Sequence, residues 1–174
     1  MAGSEGFLIA DAYAGYDRLF ANPNLKEVGC WAHARRKFFE VAKTGKMPGL
    51  AHEAVARIGA FYHLDNMWKE LEPVERRRRR EEEIRPLLED FHAWMAAHLP
   101  GLLPQSPLAK AFAYAANHWG ALTRFLDDGR LPLDNNAAER ALRPIALGRK
   151  NWLFAGSAKG GEAAAIILSF VESA

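Results

Sequence analysis

The chain has 174 residues, 49% of them hydrophobic and 25% charged, with a formal net charge of +2. That length suits one domain that buries about two-thirds of its unfolded surface, and the composition excludes wholesale disorder. One cysteine, Cys30, excludes an internal disulfide framework, and no apolar run approaches the ~20 residues of a membrane span, so no membrane partner is expected.

The N-terminus carries no basic leader and only a short apolar run, Phe7 to Ala10, which is not a signal peptide and leaves a reducing cytoplasm as the expected location. Charge is distributed locally. Leu25 to Lys46 holds six Lys/Arg against two Glu, and Arg140 to Lys159 holds five against none. Any attraction to a polyanion is confined to these stretches.

Phe7-Leu8-Ile9-Ala10 reads as a short buried strand ended by Asp11, with a turn through Gly15. In open α/β sheets ligand sites gather beyond the carboxyl ends of strands, so Asp11 stands where a metal-binding carboxylate belongs. Asp11 is equally suited to cap a helix starting near Tyr13. Val28 to Ala32 reads as a second strand, followed by a helix from His33 to about Lys43. Arg35, Arg36 and Lys37 then fall near the start of that helix, where cations oppose the macrodipole by a few tenths of a kcal/mol each. Their position hints at a phosphate partner, although exposed cations are common on any helix. Cys30-x-x-His33 resembles half of a zinc site, but a structural zinc needs four ligands and no second cysteine exists.

Residues 51–129 read as successive helices. Phe61, Leu64, Trp68 and Leu71 recur at helical spacing, as do Ile84, Leu87, Leu88, Phe91, Trp94 and Met95, and then Leu108, Phe112, Ala115, Trp119, Leu122 and Leu126. These stripes predict helix packing, with breaks at Pro73, at Pro100 with Pro104, and at Asp127-Asp128-Gly129. The run Glu75 to Arg85, ERRRRREEEIR, contains the i,i+4 pairs Arg77–Glu81, Arg78–Glu82, Arg79–Glu83 and Glu81–Arg85. Its charges cancel locally, which predicts a solvent-facing helix and not a nucleic-acid patch.

Chemistry returns in Leu131 to Phe154, LPLDNNAAERALRPIALGRKNWLF. Asn136-Ala-Ala-Glu139 fits a capping box, in which Asn136 caps and Glu139 reaches back. Asn136, Glu139, Arg140 and Arg143 lie at i, i+3, i+4 and i+7 and so share a face, and Pro144 should stop the helix near Arg143. Arg149, Lys150 and Trp152 follow, then a glycine-rich stretch and an apolar final helix, Ala163 to Val171.

Three blocks, ADAYAGYDRLF, VGCWAHARRKFFEVAK and LPLDNNAAERALRPIALGRKNWLFAGSAKGGEAAA, in this order and separated by a helical insert, resemble the transposases of the IS66 insertion-sequence family. The resemblance covers nearly the whole chain. It implies an α/β fold, predominantly α: part of an RNase H-like core in residues 1–48 and 130–174, with a large helical insertion at 49–129. It also implies DDE chemistry, in which three carboxylates hold two Mg²⁺ ions for DNA strand cleavage and strand transfer in a bacterial cytoplasm. Asp11 would be the second acid of that triad and Glu139 the third, both as metal ligands. Arg35, Arg36, Lys37, Arg140, Arg143, Arg149 and Lys150 would hold DNA phosphates, with Trp152 or Phe154 stacking an unpaired base. Transposon ends and target DNA are the implied partners, in a possible homo-oligomer.

The family's first Asp belongs well upstream of the Asp11 block, and Glu5 is the sole acid among the ten residues before Asp11. The expectation is therefore a transposase fragment truncated at both ends and inactive alone. Two other readings stand beside it: a catalytically dead DNA-binding or interaction remnant, and a helical structural protein in which Asn136 and Glu139 only cap a helix.

Overall fold

The computed structural model describes residues 6–10, 17–45 and 47–141. The chain divides into two compact units, Met1–Asn135 and Asn136–Ala174, taken separately below.

In the first unit, strand β1 (Gly6–Ala10) pairs in parallel with β2 (Leu25–Gly29), Gly6 lying opposite Leu25 and Ala10 opposite Gly29. Parallel partners need a crossover, and the short helix α1 (Asp17–Phe20) lies within it. β1 is less buried than its apolar run predicts. Only Ala10 is fully buried, and Phe7 stays exposed with the Lys26 ammonium 5.9 Å from its ring.

The second strand and its helix both start earlier than the sequence pattern places them. β2 ends at Gly29 and helix α2 spans Trp31–Ala42, with Cys30 in an extended conformation between them. Two contacts fix this boundary. The Trp31 N–H donates to the Leu133 carbonyl at 2.9 Å, and the Trp31 indole Nε1 donates to the Leu122 carbonyl at 2.8 Å. A Cβ on Gly29 would stand 3.0 Å from the Leu122 nitrogen, so the strand end admits helix α7 (Trp119–Thr123) only because that residue has no side chain.

Helix α2 buries Trp31, Ala34, Phe38 and Ala42, at the spacing of one helical face. Helix α3 (Leu50–Met67) buries Ala51, Ala54, Ile58 and Phe61 against it. Phe61, Trp119 and Phe91 then surround the Trp31 ring at centroid distances of 5.2, 5.9 and 6.2 Å, and Phe38 meets Phe112 at 5.5 Å. The helices after residue 49 thus share one core with α2.

Helices α4 (Pro73–Arg79) and α5 (Arg85–His98) are joined without a break by a π-helical turn, Arg80–Ile84. The cause is Pro86. It has no N–H to give, and its ring would crowd the carbonyl four residues back in a regular α-helix. The widened turn removes that conflict, with the Arg85 N–H bonding the Arg80 carbonyl. Helix α6 (Pro107–Asn117) is capped by Ser106, whose hydroxyl accepts the Ala109 N–H at 3.1 Å. The long apolar stripe through Leu126 is not one helix. It breaks at His118 before α7 and closes in a 3-10 turn, Arg124–Leu126.

The arginine run is mostly, but not wholly, solvent-facing. Arg78–Glu82 at 2.6 Å, Arg79–Glu83 at 3.2 Å and Arg85–Glu81 form as expected, whereas Arg77 makes no such pair among the described residues. Arg80, in the middle of the run, is fully buried. It continues the inner stripe of Ile84, Leu88 and Met95 one turn back, so its side chain must enter the core. There Nε donates to Asp65 at 2.7 Å, Nη1 donates to the carbonyls of Phe125 at 2.9 Å and Asp128 at 3.2 Å, and the guanidinium lies 5.1 Å from the Phe125 ring. Asp65 also accepts from Arg76 at 2.5 Å. Burial is the largest influence on Arg80 and holds its pKa below the usual arginine range, with Asp65 pulling the other way. The turn after it is equally tight, since a Cβ on Gly129 would stand 1.9 Å from the Pro73 carbonyl oxygen.

Removing one partner of a buried ion pair leaves the other charge uncompensated, which costs about 3–5 kcal/mol. Asp65→Ala should lower the urea midpoint by a matching amount, whereas Glu82→Ala, at a solvent-exposed pair, should change stability by less than about 1 kcal/mol.

Candidate functional site at the strand ends

The strand register brings Ala10 and Gly29 side by side. Asp11 is the next residue after Ala10 and itself lies outside the described residues. Beyond Gly29, a set of polar groups converges on the segment 131–135. The Cys30 thiol donates to the Asn135 side-chain oxygen at 3.0 Å, and the Tyr62 hydroxyl donates to the Asp134 carboxylate, also at 3.0 Å. With the Trp31 N–H on Leu133, three successive residues of LPLDNN are each held by a different contact. A small cavity of about 170 Å³ adjoins them, lined by Tyr62, Asp65, Arg76 and Asp134 among others.

The electrostatics of the cluster favour neutral donors. Burial is the first cause pushing Tyr62 above the usual tyrosine range, and the Asp134 carboxylate adds to it, with Arg35 opposing. Burial likewise pushes the Cys30 thiol up, against the backbone N–H groups of Asn135, His33 and Ala32. A protonated tyrosine and a protonated thiol act here as hydrogen-bond donors, not as nucleophiles.

The predicted cations separate. Because α2 begins at Trp31, Arg35, Arg36 and Lys37 occupy its second turn, beyond the reach of its N-terminal dipole. Arg35 is half-buried beside Tyr62, while Arg36 and Lys37 are exposed, with the Lys37 ammonium 4.4 Å from the Tyr114 ring centroid. In the second unit, residues 136–141 are helical, starting at Asn136. Glu139 and Arg140 are exposed on that helix. Arg143, Arg149, Lys150, Trp152, Phe154 and the final helix predicted at Ala163–Val171 lie outside the described residues. Among those described, no group of three His, Cys, Asp or Glu side chains is placed to hold a metal ion, and no helix is long and apolar enough to cross a membrane.

Sequence reasoning missed Tyr62 and Asp65 and gave Asp134 no role. Nothing in the chain order links Tyr62 to a partner 72 residues away. The one available signal is a polar-tipped ring flanking Phe61 on the α3 stripe.

A short parallel strand pair feeding a predominantly helical body defines an α/β protein dominated by helix. The chain belongs to the IS66 transposase family: the model described as "Transposase IS66 family" matches residues 1–163. Among curated relatives, the uncharacterized protein y4hP of Sinorhizobium fredii is 38% identical over 187 residues, covering 98% of this chain and 34% of that protein. The uncharacterized proteins y4jD and y4qI of the same organism are 33% and 31% identical over 180 residues, covering 35% and 33% of their own lengths. The chain therefore spans about a third of the length of the curated relatives it matches. No solved structure matches it.

Two measurements check the cluster. Tyr62→Phe removes one hydrogen bond and should cost about 1 kcal/mol at neutral pH. It should also flatten the alkaline limb of the stability profile. The folded Tyr62 pKa lies above the unfolded value of about 10, so its contribution is full below that pH and is lost as pH rises through it. Cys30, buried and shifted up, should react with an aromatic disulfide reagent at neutral pH far more slowly in the native chain than in urea.

Proposed function

We propose that this chain is part of a DNA transposase and carries two carboxylates of a DDE-type triad, Asp11 and Glu139, in an RNase H-like core interrupted by the helices of residues 49–129. The observation that carries this reading is the family match over residues 1–163. The strand pair supports it, because Asp11 follows the last residue of β1 and ligand sites of parallel sheets gather beyond that end.

Asp11 and Glu139 offer the hard oxygen donors that Mg²⁺ takes, and Glu139 is exposed on its helix, so the donor chemistry fits a divalent cation. These two side chains would hold the ions, which when bound stabilise charge at the attacking and leaving oxygens of an in-line phosphoryl displacement. Arg140, next to Glu139, and Arg143, Arg149 and Lys150 after it would hold strand phosphates, with Trp152 or Phe154 stacking an unpaired base. Strand cleavage, strand transfer and recognition of transposon ends belong to the whole protein in the bacterial cytoplasm.

A second reading is a DNA-binding remnant without cleavage. The catalytic role of Glu139 is tested in a full-length relative that carries DNNAAER. Loss of an outer-shell partner of a metal ligand already costs 10–100-fold, so Glu→Gln at the position matching Glu139 should reduce Mg²⁺-dependent strand cleavage by more than about 100-fold. Retention of cleavage in that variant removes Glu139 from the catalytic centre.

A further inference from the structure

Helices α2 and α6 enclose an open groove of about 800 Å³. Its floor is apolar, from Val41, Leu108 and Ala111, and its rim carries Arg36, Lys37 and Lys110. The one acid among its described lining residues, Glu40, is paired with Lys43 at 2.5 Å. Among the described residues none of the three rim cations is in a salt bridge, in contrast to Arg78, Arg79 and Arg85, which carboxylates neutralise. The Lys37 ammonium is also held over the Tyr114 ring, so one of the three charges is fixed in place before any ligand arrives.

We infer that this groove binds a single DNA strand, with phosphates on Arg36, Lys37 and Lys110 and bases against the apolar floor. The inference rests on the transposase reading and deepens it, since Lys110 belongs to the helical insertion and to none of the family-like blocks. A duplex presents phosphates but keeps its bases stacked inside, leaving the apolar floor unused. An acidic peptide could satisfy the cations, yet it lacks the flat bases that a single strand would lay on the floor of Val41, Leu108 and Ala111.

The experiment is fluorescence anisotropy of a labelled short oligodeoxythymidylate with the whole chain, over a salt series. Each phosphate contact on a single strand contributes about 0.7 to the slope of log K against log salt. Arg36→Ala with Lys110→Ala should therefore weaken binding severalfold and lower that slope by about 1.4. Arg78→Gln, which also removes a positive charge but on a neutralised face, should leave both unchanged. A duplex of the same length should bind more weakly and respond less to the double variant, and a polyglutamate competitor should not displace the strand.

The groove assignment is overturned if the double variant binds like the parent, if Arg78→Gln is as damaging, or if only the duplex or polyglutamate depends on Arg36 and Lys110. The transposase reading survives those outcomes, because Glu139 is tested separately by cleavage. Absence of any DNA binding at low salt would overturn the groove, while loss of cleavage on changing Glu139 in the relative would still uphold the family chemistry.

Discussion

Trp31 is the residue on which the rest of the first unit depends. Its ring lies at the centre of the aromatic core, its indole N–H ties α2 to α7, and its backbone N–H takes the carbonyl of Leu133. One side chain at the first position of α2 therefore joins the strand end, the later helices and the segment leading to DNNAAER. Buried aromatic contacts of this kind contribute about 0.5–1.5 kcal/mol each beyond area burial. The placement matters more than the sum. With Trp31 fixed, Cys30 has to sit at the mouth of the strand pair, where its thiol meets Asn135.

The second constraint is the Asp65–Arg80 pair. A fully buried guanidinium is costly unless its donors are satisfied; among the described residues Nε and Nη1 find Asp65 and the carbonyls of Phe125 and Asp128, while Nη2 finds no acceptor. Those carbonyls belong to the turn that releases the chain toward Leu131. The π-helical turn imposed by Pro86 begins at Arg80 itself. A local backbone conflict and a buried charge thus coincide at one residue, and together they set where the helical part ends and the 131–135 segment begins.

The helical part was legible in the sequence because its signal is periodic. The stripes through Phe61, Phe91, Phe112 and Leu122 predicted most of the buried faces, although Leu71, beyond the end of α3, and Leu87 are exposed, and Pro73 and Asp127-Asp128-Gly129 marked true breaks. What failed was a matter of tertiary override. The start of α2 depends on a hydrogen bond to residue 133, which no local window contains. Arg80 was read with its charged neighbours when its four-residue spacing to Ile84 placed it inside. Arg36 and Lys37 stand in a basic cluster that the sequence shows, whereas Lys110 is a lone cation on an apolar helix and carries no local pattern. The DNNAAER stretch stands out in the sequence as a family-like block, while the side chains that grip its first residues carry no such signal.

Those grips bear on how the motif divides its work. Asp134 receives the Tyr62 hydroxyl and Asn135 the Cys30 thiol, both at hydrogen-bond distance within the first unit. Glu139 stands exposed on the helix that begins at Asn136. A carboxylate already serving a buried tyrosine is poorly suited to a metal ion, since its second task would cost the first. Of the two acids of the motif, Asp134 is half-buried and Glu139 is exposed. The residue types D, N, N and E look interchangeable as oxygen donors on paper. In the structure the first two hold the segment in place through Tyr62 and Cys30.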